Sequence, residues 1–270
     1  MKIKFITTLL LIYNVAAAQI KFTYDEAGNR ISRKLDGALV QLNVKVYLRG
    51  ACRAGKPNMA NDLQIYYGPS SGLLPGIDPY GSGVVYNNIS NPAAVTGEVV
   101  DWVKIEVRSA INPAAILQSR SLLLKTNGSV IDTDGTLPEF LAEVVPVHIV
   151  VKHRNHIAIM GNAILAFVSG TVNYDFTSSL AMAYNVPGDP PQMGVIEGKW
   201  AMWPADVNQD YVVDGVDNTI VVKAFNQGLF DDYLASDLNL NGVVEGLDGS
   251  MMNNAFNTGY FSVLLNYEPL

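Results

Sequence analysis

Leu42, Val44, Val46 and Leu48 alternate along the chain with Asn43, Lys45, Tyr47 and Arg49. Side chains two apart share a face of a strand, so this run predicts one buried and one wet face. Val103, Ile105 and Val107 alternate in the same way with Lys104, Glu106 and Arg108, which predicts that these three charged residues lie in solvent. Residues 121–125 and 129–132 flank Thr126-Asn127-Gly128. Asn-Gly between two apolar runs is a strong hairpin signal. Residues 145–152 form a further strand, with Val147, Ile149 and Val151 on one face, and 157–159 and 163–168 continue the pattern. Between residues 57 and 95 Gly, Pro, Asn, Ser and Tyr dominate, predicting long loops over a sheet. The fold class expected is mainly β: an antiparallel β-sandwich over residues 39–176. Pro187, Pro190 and Pro191 mark an irregular linker, 177–203, ending near Trp200 and Trp203.

Beyond the linker the pattern changes. Residues 206–217 read DVNQDYVVDGVD and residues 237–248 read DLNLNGVVEGLD. Asp237 follows Asp206 by 31 residues, and Ala224-Phe225-Asn226 recurs at the same interval as Ala255-Phe256-Asn257. Each stretch carries oxygen-bearing side chains at positions one, three, five, nine and twelve. Calcium is a hard cation that takes six to eight oxygen ligands. The first loop offers Asp206, Asn208, Asp210, the Val212 carbonyl, Asp214 and Asp217. The second offers Asp237, Asn239, Asn241, the Val243 carbonyl, Glu245 and Asp248. The expected cofactors are therefore two Ca2+ ions. Position six of such a loop favours glycine. Gly242 suits it, whereas Tyr211 costs on the order of 1 kcal/mol in a left-handed backbone. The first loop has four carboxylates against three in the second, and that extra charge predicts it to be the tighter site. Residues 218–225 and 249–256 read as short helices.

These two loop-helix units resemble the dockerin domain, a type I pair of half EF-hand repeats. An Asp closes each loop where a true EF-hand has Glu, and no helix is expected before either loop. The resemblance covers about residues 206–260 and implies a small α-helical calcium module, placed here at 204–262. Dockerins that bind cohesins often carry Ser-Thr at positions ten and eleven, where this chain has Gly215-Val216 and Gly246-Leu247. The partner implied is a cohesin-like protein or another part of the same chain.

The start of the chain, MKIKFITTLLLIYNVAAAQ, has two lysines, an apolar run and small residues before Gln19. It reads as a secretory signal peptide, residues 1–18, which implies a secreted or cell-surface protein. The apolar run is well short of the roughly 20 residues a membrane span needs. Residues 19–38 read as a leader. Within it, FTYDEAGNRI at 22–31 resembles one unit of the YD repeat of bacterial surface proteins, and a plain linker with a turn fits equally. A formal net charge of -7 argues against nucleic acid, whose phosphates demand Lys and Arg. Cys52 is the one cysteine, so no intramolecular disulfide forms, and a buried small apolar role suits it.

Residues 101–108 (DWVKIEVR), Arg120-Ser121-Leu122-Leu123, Asp132-Thr133-Asp134-Gly135 and His153-Arg154-Asn155-His156 resemble a β domain of secreted Gram-negative bacterial proteins, of haemagglutinin-like or adhesin-like type. That resemblance implies a surface context more than an activity. His148, His153 and His156 tempt a metal reading, but 148 and 153 fall on opposite faces of a strand, so structural roles are expected. Glu139 and Glu143 could belong to a carboxylate pair for glycoside hydrolysis, but acidic chains offer such pairs by chance. Tyr66, Tyr67, Tyr80 and Tyr86 could stack on a glycan or simply cover the sandwich edge. No nucleophile elbow, phosphate loop or dinucleotide fingerprint is present, and the chain reads as a non-enzyme. The function expected is a secreted calcium-binding surface or assembly protein. The alternative is an accessory component or divergent hydrolase of extracellular polysaccharide breakdown, recruited through its dockerin-like tail.

Overall fold

The computed structural model describes residues 19–24, 30–36, 38–67, 72–87, 89–90 and 98–267, the first two segments as backbone only. The expected signal peptide and the turn of the YD-like segment lie outside the described residues. The chain is mainly β, with antiparallel sheets and few helices. The strands are β1 (Gln19–Tyr24), β2 (Arg30–Asp36), β3 (Leu39–Lys45), β4 (Val99–Ser109), β5 (Ile116–Lys125) and β6 (Val130–Ile131). They continue as β7 (Glu139–Leu141), β8 (Val147–His153), β9 (His156–Met160), β10 (Gly170–Asp175), β11 (Met193–Ile196) and β12 (Lys199–Met202). The helices are α1 (Asp62–Ile65), α2 (Gly215–Asn226) and α3 (Gly246–Thr258).

A five-stranded antiparallel sheet in the order β6-β5-β4-β8-β9 faces a three-stranded sheet in the order β10-β3-β7. Val40, Leu42 and Val44 of β3 share one buried core with Val103, Ile105 and Val107 of β4 and with Ile149 and Val151 of β8. The hairpin between β5 and β6 turns at Gly128 with φ +87°. A Cβ at Gly128 would lie 2.6 Å from the Tyr47 ring, so glycine is needed there on two counts.

Three departures from the sequence pattern stand out. First, β10 pairs with β3 in parallel, whereas an antiparallel sandwich was expected. A parallel pair needs a crossover rather than a hairpin. Residues 163–168, expected as a strand, belong to that crossover, with Leu165 bridging Val147 and Phe167 in the core. Second, residues 193–202 are not irregular. They form the β11–β12 hairpin, which sends Met193, Ala201 and Met202 into the core.

Third, Glu106 and Arg108 are fully buried, and Lys104 is half-buried. Over β8 and β9 the outer face of the large sheet is covered. Tyr211, Val263, Leu264 and Tyr267 pack there against Val150, Ala158 and Met160. Alternation reports that a strand has two faces, not what covers the second. Arg108 Nη2 donates to Glu106 Oε2 at 2.6 Å, and Lys152 Nζ lies 3.1 Å from Glu106 Oε1.

Two substitutions test this layering by urea denaturation. Ile105→Ala should cost roughly 2–5 kcal/mol, the range for a packed core. Arg108→Ala should cost about 3–5 kcal/mol, because it takes from the buried Glu106 carboxylate its one fully buried partner among the described residues and leaves it only the partly exposed Lys104 and Lys152. A loss below about 0.5 kcal/mol at position 108 would place that side chain at the surface.

Candidate metal centre

Both expected loops close in the same way. Asp217 Oδ1 accepts the Val207 N–H at 2.8 Å and the Asn208 N–H at 3.2 Å, while Oδ2 accepts the Asp214 N–H at 2.9 Å. Asp248 Oδ1 accepts Leu238 N–H at 2.7 Å and Asn239 N–H at 3.0 Å, while Oδ2 accepts Glu245 N–H at 2.8 Å. One carboxylate thus ties the beginning of each loop to the start of its helix. Position nine, Asp214 or Glu245, is the helix N-cap, and a reciprocal capping box joins it to position twelve. This is why α2 and α3 begin at Gly215 and Gly246, three residues before the starts expected from sequence.

The backbone bends twice into the left-handed region in each loop. Position six has φ +75° at Tyr211 and +87° at Gly242. Position four has +60° at Gln209 and +59° at Leu240, which neither residue type announces. Asn208 Nδ2 donates to Asp210 Oδ2 at 2.7 Å, and Asn241 Nδ2 to Glu245 Oε1 at 2.9 Å. Asp210 Oδ1 accepts the Val212 N–H at 3.0 Å, and Asn241 Oδ1 the Val243 N–H at 2.9 Å. The residues expected as ligands are therefore gathered in two matching loops.

The electrostatics favour a cation. Asp206, Asp217, Asp237 and Asp248 are buried. Burial, followed by the charges of Asp217 and Asp210, pushes the Asp206 carboxyl up to about 8. Burial pushes Asp237 up to about 6, against the pull of Arg154. Asp206 Oδ1 and Asn239 Oδ1 are buried without a hydrogen-bond partner, and such orphans ask for a ligand. Against this, among the described residues no three His, Cys, Asp or Glu side chains are placed to hold an ion by themselves. A calcium shell would draw also on Asn oxygens, a backbone carbonyl and water, as hard-cation loops do.

The histidines do other work. Burial lowers the proton affinity of His153 and His156, so both rings are neutral. His156 Nε2 accepts the Gly50 N–H at 3.1 Å, which leaves its proton on Nδ1. That proton faces His153 Nδ1 at 3.0 Å, so His153 carries its own on Nε2 and donates to Asp101 Oδ2 at 3.1 Å. Burial alone would raise the Asp101 carboxyl. The Arg154 charge and hydrogen bonds from His153 and Tyr233 outweigh it and hold it below the usual range. Arg154 lies over the Tyr233 ring at 4.1 Å and donates to the Leu234 carbonyl. Asn155 Nδ2 donates to the carbonyls of Ala235, at 2.9 Å, and Asp237, at 2.7 Å. The turn between β8 and β9 thus grips the approach to the second loop. His148 sits apart, opposite Arg108.

Other candidates are engaged within the chain. Tyr66 and Tyr67 both donate to Asp231, and Tyr80 donates to the Trp102 carbonyl at 3.1 Å. Glu143 accepts from Gln118 at 2.6 Å. Cys52 is half-buried, and burial pushes its thiol up to about 11. A cavity of about 300 Å³ lies between the first loop and the sheet, lined by Lys104, Lys152, His153, His156, Asp206 and Tyr211.

No family model matches the chain, and no curated protein sequence matches it. Among the solved structures that share a distant likeness are an N-terminal and a C-terminal interface mutant of a type II cohesin–X-dockerin complex from Acetivibrio cellulolyticus. Their TM-scores are 0.36 and 0.34, both at 12% identity over 83% of this chain and 98% and 97% of theirs. Likeness at that level assigns neither a partner nor an activity.

Two neutral buried histidines impose a pH dependence. In the unfolded chain each takes up a proton near the ordinary value of 6.5, and in the fold it does so only at lower pH. Their contribution is complete above about pH 6.5 and is lost as pH falls through the lowered folded values. At saturating calcium, the urea midpoint should drop between about pH 7 and pH 5.5, and His156→Gln should flatten that slope. Equal slopes in the two proteins would rule out the histidine pair as its source.

Proposed function

We propose that the chain is a secreted, non-enzymatic calcium-binding protein. On this reading residues 206–217 and 237–248 each hold one Ca2+. The observation that carries it is the pair of matching loops in which buried Asp206 Oδ1 and Asn239 Oδ1 have no partner. A bound ion would supply the missing charge and draw the ligand oxygens together. Residues 39–176 would form a binding or architectural β-sandwich. Residues 204–262 would form a dockerin-like module that joins the chain to an assembly at the cell surface.

The helices supply the support for assembly. Val216 and Leu247 stand at equivalent positions, and each is 54% exposed. Phe225 and Phe256, also equivalent, are 49% and 42% exposed. A repeated set of exposed apolar side chains suits docking to a protein surface. The resemblance to dockerins would make a cohesin-like protein the partner.

Titration calorimetry on chelator-treated mature chain should show about two calcium sites. Calcium at about 100 times its Kd should stabilise the fold by about 2.7 kcal/mol per site. A flat titration, with no shift in the unfolding midpoint, would overturn the reading.

A further inference from the structure

We propose that the β-sandwich shapes the second loop before any ion binds, making it the tighter of the two sites. This rests on the calcium reading above. Donors from outside the loop hold its backbone at the positions that carry ligands. Asn155 Nδ2 reaches the carbonyl of Asp237, position one, at 2.7 Å. Arg53 Nη2 reaches the carbonyl of Asn239, position three, at 2.9 Å. Tyr66 lies against Gly242, position six, where a Cβ would come within 2.6 Å of its ring. Between the first two, Leu238 is pressed on Gly50, where a Cβ would lie 1.9 Å from the Leu238 carbonyl oxygen. Asp237 and Asn239 are buried as a result.

The first loop is held more loosely. Asn208, Gln209 and Asp210 are exposed. Its position six is tethered through the Tyr211 hydroxyl, which accepts from Lys152 at 2.5 Å, and through the Tyr211 carbonyl, which accepts the Ser262 N–H at 2.7 Å. The two loops therefore oppose two effects. The first has one more carboxylate. The second has a backbone already fixed in the binding shape, so less ordering remains when the ion arrives. The extra carboxylate, Asp210, stands at position five where the second loop has Asn241, and it is exposed, so screening reduces its advantage. Arg154 opposes a cation near Asp237, but its charge is shared with Asp101, 3.1 Å away. Arg53 and Asn155 are positioning residues: they touch the loop's carbonyls and not the ion.

The test uses the mature chain, stripped of metal with chelator and titrated with calcium. Asp206→Ala isolates the second loop, and Asp237→Ala isolates the first. The tighter event should survive in Asp206→Ala and vanish in Asp237→Ala. Arg53→Ala should then weaken that event roughly 10–100-fold, the usual effect of losing an outer-shell support, and leave the weaker one in place. Arg53 also pairs with Asp62 at 2.6 Å, so Asp62→Asn is the control. It keeps the donor to Asn239 and should bind like the parent. Hydrogen exchange in chelator reads the same shape without any ion. The amides of Leu238, Asn239 and Gly242 should exchange more slowly than those of Val207, Asn208 and Tyr211, and Arg53→Ala should erase the difference. The proposal is overturned if the tighter event survives in Asp237→Ala, if Arg53→Ala weakens both events or neither, or if the two loops exchange alike. A parent chain that binds no calcium would take the calcium reading down with it, whereas two parental events untouched by Arg53→Ala defeat this inference alone.

Discussion

A carboxylate buried away from water needs compensation from its neighbours, and Asp101 organises much of this molecule by that need. Its oxygens are met by His153, Arg154 and Tyr233. Charges in so dry a place stabilise only when every partner is present. Meeting that requirement draws the β8–β9 turn, the central strand β4 and the segment before the second loop to one point. The wall of the sandwich and the root of the second loop-helix unit are then parts of a single polar cluster. Glu106 and Arg108 repeat the arrangement on the outer face of the same strand. Strand β4 thus carries two buried acidic groups, one for each of the regions that pack upon it.

This clustering gives the loops their different settings. Tyr211 shows how one residue can serve two ends. A left-handed backbone at position six suits glycine, yet the tyrosine ring packs with Val150, Ala158 and Met160, and its hydroxyl meets Lys152. The local strain is offset by docking. Gly242 lets a neighbour do the packing instead, since Tyr66 fills the space its missing side chain leaves.

Much of this was legible in the chain. Period-two alternation located β3, β4 and β8, Asn-Gly located the β5–β6 turn, and the 31-residue repeat located both loops with their helices. These signals are local. What they missed depends on partners distant in sequence. Nothing near Glu106 announces that its side chain will be buried, or that Val263 and Leu264 will pack on the neighbouring β8 and on β9. Nothing near Gly170 or Val172 announces a parallel neighbour, because β10 brings only a buried Tyr174 and a partly covered Val172 to the core. The sequence 153–156, HRNH, was noticed without its role, since the carbonyls it holds belong to residues 80 and more positions later. Main-chain acceptors carry no sequence signature.

The pairing of β3 with β10 has a consequence for how the molecule comes to exist. Asn43 and Asn173 bond across that pair at a separation of 130 residues. A contact so distant closes a long loop and forms late, since loop entropy is spent before the contact returns anything. Of the two strands beside β3, β7 is short, three residues at Glu139–Leu141, and it too follows only after β4, β5 and β6. A growing chain therefore presents Val40, Leu42 and Val44 as an apolar strand without a neighbour until about half of its 270 residues have been made, and without β10 for longer. The first strand of the sandwich is the one that most needs shielding on the way to the fold.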